Sequence, residues 1–264
     1  MYQRKQDAGR TQAQTANATN FEALFLNIEA IVEEGRKIIL GLELDKNDRA
    51  GIARALLLIR MLNHLECISR LCELGYETEA MILYRSMLEA FLRVAGLSRK
   101  PEIADDYWAQ YLIQRQGMYE DLLALLGPGL EGVPIPPEQV QKKLDEVKEE
   151  IAEWEQKRGR KLKPISANKW AELGNAKDVF FLRYRSGSLP VHHAPQDLAR
   201  HVIESEDGTI DSVLVGPESH DIESLLRDAA DLMSMSLAVT EDSIGLDRSD
   251  ALKNAAQQIR SMYK

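Results

Sequence analysis

The segment from Arg185 to His192 contains the two residue types best suited to chemistry on a phosphate group. The guanidinium of Arg185 presents a permanently charged fork of donors, and the imidazole of His192 can exchange a proton near neutral pH. Six residues separate them, so a chain that breaks at Gly187 could fold back and bring the two side chains together. The alternative is that these side chains only hydrogen-bond a turn together. Three neighbours are candidates for substrate binding: Tyr184, Ser188 and His193.

A second group of charges lies in a segment that is otherwise apolar. Arg85, Glu89 and Arg93 follow one another at steps of four residues, which places them on one face of a helix. Charges on such a helix are costly unless they are paired and hydrogen-bonded. Two interpretations remain open: an ion ladder that fixes the helix register, or a set of groups that holds a catalytic histidine or a ligand phosphate.

Five positive charges occur within the seven residues from Lys157 to Lys163. Arg160 and Lys161 are candidates for binding a polyanionic substrate. The alternative is a solvated basic loop that follows a charged helix.

Several motifs that would identify other chemistry are absent from the sequence. It contains no glycine-rich phosphate loop, no G-x-S-x-G, no H-E-x-x-H and no paired C-x-x-C, which argues against nucleotide hydrolysis by a P-loop. His64, Cys67 and Cys72 do not have the spacing of a structural zinc site. We therefore expect neither a metal nor a cofactor, and a histidine-based metal hydrolase ranks last among the hypotheses.

The composition favours helices and a negative overall charge. Of 264 residues, 44% are hydrophobic, 42 are acidic and 33 are basic, which gives a formal net charge of −9. A core of useful size can form, and the acid excess argues against broad coating of nucleic acid, so any RNA contact should be confined to a local cleft. No apolar stretch predicts a secretory signal or a membrane span, and two cysteines cannot supply a disulfide framework. We expect a cytoplasmic protein.

The hydrophobic periodicity predicts one all-α domain, a single helical bundle over residues 21–264 that follows a disordered polar tail at 1–20. Residues 49–74 and 77–97 are apolar on most of their circumference and should form a central hairpin that turns at Gly75. In the fourth helix, Tyr111, Met118 and Leu125 are among the residues expected to face inward. Residues 137–163 should form a charged helical appendage, and residues 203–217 a small hairpin-like insert. The predicted helices cover approximately 21–44, 49–74, 77–97, 102–126, the segment after Pro137, 167–174, 176–185, 221–243 and 248–262.

Two motifs in the chain resemble those of a bacterial family of uncharacterised helical proteins, which carry R-S-L-x-E-A and Y-R-x-x-S-x-x-x-H. The first corresponds to Arg85-Ser86-Met87-Leu88-Glu89-Ala90, and the second runs from Tyr184 to His192. The second also resembles the R-x(4–6)-H signature of the HEPN superfamily. That resemblance implies a HEPN-like homodimer in which Arg and His from both chains line one cleft. Many such proteins are metal-independent endoribonucleases of toxin, abortive-infection and CRISPR-linked systems, and some are inactive binding modules.

The resemblance also implies roles for individual residues. His192 would be the general acid or base for attack by a ribose 2′-hydroxyl, and Arg185 would stabilise the phosphorane. Glu89 or Arg85 would orient them. The expectation is an endoribonuclease of a bacterial defence or toxin-type system, with RNA as substrate and a regulatory protein as a further partner. The alternative is a non-catalytic sensor or scaffold that binds a small anionic ligand or a protein.

Overall fold

The computed structural model describes residues 21–42, 44–126, 136–184, 202–205, 208–213 and 221–244. The predicted all-α class is confirmed, and one two-stranded sheet, a short hairpin, occurs within these ranges. The helices are α1 (Glu22–Leu40), α2 (Arg49–Glu73), α3 (Glu77–Arg99), α4 (Ala104–Leu126), α5 (Pro137–Arg158), α6 (Ala167–Leu173), α7 (Lys177–Val179) and α8 (Ile222–Ile244). A 3₁₀ turn, Pro101–Ile103, precedes α4, and a π-helical turn, Phe180–Tyr184, follows α7.

The central hairpin of α2 and α3 turns at Gly75, as predicted. Gly75 has a φ of 84°, a left-handed conformation that favours glycine. Its amide donates to the carbonyl of Cys72 at 3.0 Å, and the amide of Tyr76 donates to the carbonyl of Leu71 at 2.8 Å. These two bonds form the Schellman motif that ends α2. At its other end, the Asp48 carboxylate accepts from the amide of Gly51 at 2.8 Å and caps the helix.

The hydrophobic core lies where α1, α2, α3 and α8 pack against one another. Its largest fully buried side chains on these helices include Ile28, Ile31, Leu58, Met61, Leu65, Met87, Leu88 and Phe91. Not all of the apolar circumference of α2 and α3 is buried. Leu56, Ile59 and Ile82 are 52%, 39% and 38% exposed, because they lie on sides that no described helix covers.

Helices α4 and α5 form a second antiparallel hairpin. The buried residues Val140, Leu144 and Val147 form a seam on α5 that packs mainly against α4, in agreement with their spacing. The prediction that Tyr111, Met118 and Leu125 face inward is wrong, because they are 60%, 54% and 59% exposed. The physical reason is that only the first turns of α4 lie on the core, where its buried residues are Ala104, Asp106 and Ala109.

The chain after α5 follows the predicted succession of short helices, and α6 lies close to the expected 167–174. The segment expected as a helix over 176–185 is helical from Lys177 to Tyr184, first as α7 and then as the π-helical turn. The insert is confirmed as an antiparallel hairpin of β1 (Val202–Glu204) and β2 (Ile210–Val213), in which Val202 is paired with Val213. The predicted tail at 1–20 and the predicted helix at 248–262 lie outside the described residues. Among the described helices, none has both the length and the apolar character that crossing a bilayer requires.

Candidate functional site

The ion ladder that the sequence spacing permits is formed on α3 by Arg85, Glu89 and Arg93. Glu89 accepts from both terminal nitrogens of Arg93 at 3.3 Å, and its other oxygen lies 3.5 Å from the Arg85 guanidinium. The Arg85 side chain is 12% exposed, and those of Glu89 and Arg93 are about one-third exposed, at 35% and 32%. Each arginine therefore has the same carboxylate as a partner in a site only partly open to water. This pairing agrees with a ladder that fixes the helix, and it leaves the orienting roles of Arg85 and Glu89 as predictions.

Arg183, in the π-helical turn, joins that turn to α8. Its guanidinium lies 3.2 Å from a carboxylate oxygen of Asp228 and 4.0 Å from one of Asp231, and it donates to the backbone carbonyl of Asp228 at 3.5 Å. Burial alone would lower the pKa of Arg183, but Tyr84 and the two aspartates together raise it. In turn, burial raises the pKa of Asp228, and Arg183 opposes that change. The turn is thus held between α3 and α8 by half-buried charges.

This anchorage brings the beginnings of the two sequence motifs close together. Tyr84, which interacts with Arg183, is buried on α3 and immediately precedes Arg85. The π-helical turn ends at Tyr184, which immediately precedes Arg185. Two segments that are 99 residues apart in sequence therefore approach each other at Tyr84 and Arg183.

The structure does not describe the remaining residues of the second motif. Arg185, Ser188, His192 and His193 lie outside the described residues, as does the side chain of Tyr184. The roles predicted for these five residues therefore stay predictions.

Arg160 and Lys161, the candidates in the basic loop, are each paired with a carboxylate. Arg160 pairs with Asp106 and lies 5.3 Å from the ring centroid of Trp154. Lys161 lies 2.6 Å from a carboxylate oxygen of Glu155. These contacts hold the loop against the α4–α5 hairpin. Both side chains remain largely exposed, so a role in substrate binding stays a prediction.

The sequence analysis missed a hydrogen-bonded pair across the central hairpin. Ser86 Oγ and His64 Nε2 lie 3.2 Å apart, and burial, followed by the charge of Arg60, lowers the pKa of His64. Gly75 lies eleven residues after His64 and eleven residues before Ser86, which places the two level in an antiparallel hairpin. That symmetry about the turn was the signal that could have found the pair. The neutral imidazole and the hydroxyl satisfy each other's hydrogen bonding between the two helices.

The cysteines considered with His64 show no metal-ligating arrangement. Cys67 is exposed, whereas Cys72 is buried and its burial raises the pKa of its thiol. Within the described ranges, no group of three or more His, Cys, Asp or Glu side chains has the geometry to hold a metal ion.

A protein-family model matches more than half of the chain. Residues 52–210 match the model of a "Family of unknown function (DUF5677)". No curated protein and no solved structure matches the chain. The matched region includes the ion ladder on α3, the anchored turn at Arg183 and the whole segment from Arg185 to His192.

Proposed function

The chain belongs to the family of unknown function DUF5677, and for this member we propose a metal-independent endoribonuclease activity. The proposal is supported by the resemblance of Arg185-x6-His192 to the HEPN signature. It is also supported by the anchoring of Arg183, two residues before that segment. In it, His192 is the general acid or base and Arg185 is the electrostatic stabiliser.

The observation that carries the proposal is the anchoring of Arg183 between Tyr84 and Asp228. A catalytic loop needs a fixed point from which its side chains can be positioned. The ion pair with Asp228 and the interaction with Tyr84 supply that point two residues before Arg185. The same anchor includes Tyr84, which immediately precedes Arg85 in the first motif.

The proposed reaction is an internal transesterification of RNA. His192 accepts the proton of a ribose 2′-hydroxyl while that oxygen attacks the adjacent phosphorus. Arg185 stabilises the negative charge on the phosphorane, and the bond from phosphorus to the 5′-oxygen then breaks. The leaving oxygen takes a proton, and the products end in a 2′,3′-cyclic phosphate and a 5′-hydroxyl. Because the nucleophile belongs to the substrate, no metal-bound water is required.

Arg85 and Glu89 act as positioning residues in this proposal. Glu89 fixes Arg85 and Arg93 on one face of α3, and Arg85 follows directly on the residue that contacts Arg183. We place the activity in a cytoplasmic homodimer of a bacterial toxin or defence system, controlled by a partner protein. The net charge of −9 confines RNA to a local cleft.

The proposed activity is tested with purified protein and single-stranded RNA in EDTA, with and without candidate partner proteins from a bacterial host. The expected products carry 2′,3′-cyclic phosphates, and His192→Ala should lower the rate at least about 100-fold, the usual contribution of a general acid or base. His220→Ala, outside the motif, is the control and should cleave at the wild-type rate. Equal cleavage by wild type and His192→Ala, or loss of wild-type cleavage in EDTA, would overturn the proposal.

A non-catalytic sensor or scaffold is the second candidate function, and the pairing within the Arg85–Glu89–Arg93 ladder favours it. In that case His192 holds the fold rather than moving a proton. Thermal unfolding separates the two candidates. A large fall in the melting temperature of His192→Ala supports the scaffold, whereas unchanged melting with lost cleavage supports the enzyme.

A further inference from the structure

A cavity of about 430 Å³ opens between the root of α4, the end of α3 and the start of α6. Its volume lies within the usual range for small-molecule sites, which is about 300–1,000 Å³. Gln110 fixes one wall: its amide nitrogen donates to the carbonyl of Lys163, and its amide oxygen accepts from the amide of Ile165, both at 3.1 Å. The chain from 163 to 165 is therefore tied to α4, and the cavity has a defined shape.

The walls of the cavity are unusually aromatic for this chain. Two of its three tryptophans line the cavity, together with two tyrosines: Trp108, Trp170, Tyr107 and Tyr111. The ring of Tyr107 meets the rings of Trp108 and Trp170 edge to face, with centroids 5.5 and 5.9 Å apart. Trp170 is 2% exposed and forms the floor, whereas Tyr111 is 60% exposed and stands at the rim. This arrangement suits a planar ring that slides in beside Tyr111.

The polar groups of the cavity suit an anion next to such a ring. Arg93 contributes a guanidinium whose contact with Glu89 uses two of its five donors. Burial raises the pKa of the Tyr107 phenol, and the nearby charge of Arg93 opposes that rise. Gln114 lines the exposed side, and among the described residues its amide makes no hydrogen bond. An arginine suits a phosphate, and an amide suits the edge of a base.

The chemistry of the lining favours a nucleotide over two other kinds of ligand. A purely apolar ligand would bury the remaining donors of Arg93 without any return in hydrogen bonding. An acidic peptide would use Arg93 but would have no planar ring to place beside Tyr111 and Trp108. A nucleobase with its phosphate uses both kinds of wall, because every base has a face that stacks on aromatic side chains.

We propose that this cavity, which we call the α4-root pocket and which is lined by Arg93, Tyr107, Trp108, Tyr111, Gln114 and Trp170, binds one unstacked nucleotide. The base lies beside Tyr111 and the phosphate lies against Arg93. Arg93 is eight residues from Arg85 on the same helix, about 12 Å at 1.5 Å per residue. The ion ladder thus connects the pocket with Arg85, a positioning residue of the proposed function. As an RNA subsite the pocket rests on the proposed function, but its occupancy can be measured without cleavage.

The test uses the tryptophans of the pocket as the reporter. Uridine monophosphate and a six-nucleotide single-stranded oligouridylate are titrated into full-length His192→Ala protein while tryptophan fluorescence is recorded. Saturable quenching is expected, since a base stacked in the pocket contacts Trp108. Tyr111→Ala and Arg93→Gln should each weaken binding about tenfold, the effect of losing one stacking or phosphate contact. Wild-type protein with the monophosphate serves as the reference.

Two matched controls lie on the same helices. Met118→Ala removes an equally exposed side chain one heptad along α4, and Arg99→Gln removes an exposed charge from the last turn of α3. Neither residue lines the pocket, so both variants should bind as tightly as wild type. Saturable binding of the oligonucleotide alone supports a nucleotide within a strand, and binding of both probes supports a free nucleotide as well.

Three results would contradict the proposal that the pocket binds a nucleotide. These are no saturable quenching by either probe, equal weakening in the control variants, and inorganic phosphate that binds as tightly as the monophosphate. If the proposed nuclease activity is wrong but the pocket proposal is right, nucleotide binding persists, while wild type and His192→Ala cleave RNA equally.

Discussion

Ser86 Oγ lies 3.2 Å from His64 Nε2, and this contact joins α2 to α3 midway along the central hairpin. Burial is the main cause that lowers the pKa of His64, and the nearby Arg60 lowers it further. The imidazole is therefore neutral at neutral pH. Its neutrality makes the stability of the hairpin depend on pH.

The free energy of unfolding should fall as the pH drops from 7 to 5. Below the ordinary histidine pKa the unfolded chain takes up a proton at His64 that the folded chain refuses, so acid favours unfolding. Above that pKa the contribution is constant. The slope from this group is at most about 1.4 kcal/mol per pH unit. Urea unfolding of wild type and His64→Gln at several pH values measures it, and the two curves should converge towards low pH. Parallel curves would contradict the prediction.

Glu89→Gln should destabilise the protein by about 1–2 kcal/mol. The change leaves Arg85 and Arg93 as like charges on one partly buried helix face, without the carboxylate that both contact. Glu153→Gln on α5 is the control, since Glu153 is exposed and lies in mid-helix. Urea unfolding of both variants gives the comparison. An equal effect of the two substitutions would show that the ladder contributes nothing to stability.

Arg183→Gln should lower RNA cleavage more than it lowers stability. The substitution removes the anchor of the π-helical turn and leaves Asp228 half-buried without its ion pair. We expect a loss of about 1–2 kcal/mol in the free energy of unfolding, as for a hydrogen bond to a charged group, and a cleavage rate at least about tenfold lower.

The double variant Arg183→Gln with Asp228→Asn separates the two effects. Removing both charges should restore part of the stability, because the half-buried Asp228 carboxylate is no longer left without its partner, while cleavage stays low. Recovery of cleavage along with stability would show that Arg183 acts only on folding.

Gly96→Ala should destabilise the protein by about 1–3 kcal/mol, the cost of overpacking. A Cβ at this position would lie 2.5 Å from Cε3 of Trp170, a side chain that is almost fully buried. Gly117→Ala on α4 is a matched control, since a Cβ there meets nothing within 4 Å. In the control, alanine should stabilise the helix by about 0.5–1 kcal/mol. Thermal unfolding and near-ultraviolet circular dichroism, which reports on tryptophan packing, distinguish the two variants.

The parts of the fold that local chemistry determines could be predicted from the sequence. Gly75 supplies a conformation that other residues resist, and it ends α2 where expected. Val140, Leu144 and Val147 alternate steps of four and three, and they form the buried seam of α5. The β1–β2 hairpin also follows from local signals, because Gly208 adopts a left-handed φ of 79° between two segments that contain β-branched residues.

The predictions that failed depend on which helices pack against each other. Tyr111 and Met118 have the spacing of buried residues, but spacing does not reveal that α4 leaves the core after its first turns. The same holds for the candidate site. The spacing of Arg85, Glu89 and Arg93 predicts that they pair, whereas the contact of Tyr84 with Arg183 joins residues about 100 positions apart and needs the packed fold.

Helix α4 of the α4–α5 hairpin is attached to the core at its first turns. The 23 residues of α4 span about 34 Å at 1.5 Å per residue, and only the first two turns lie on the core. Asp105 and Asp106 fix this end through ion pairs with Arg49, Arg158 and Arg160. Because the buried residues and these ion pairs all lie at one end of α4, Tyr107 and Trp108 are held in the wall of the α4-root pocket, whereas the end of the helix near Leu126 lies away from the core.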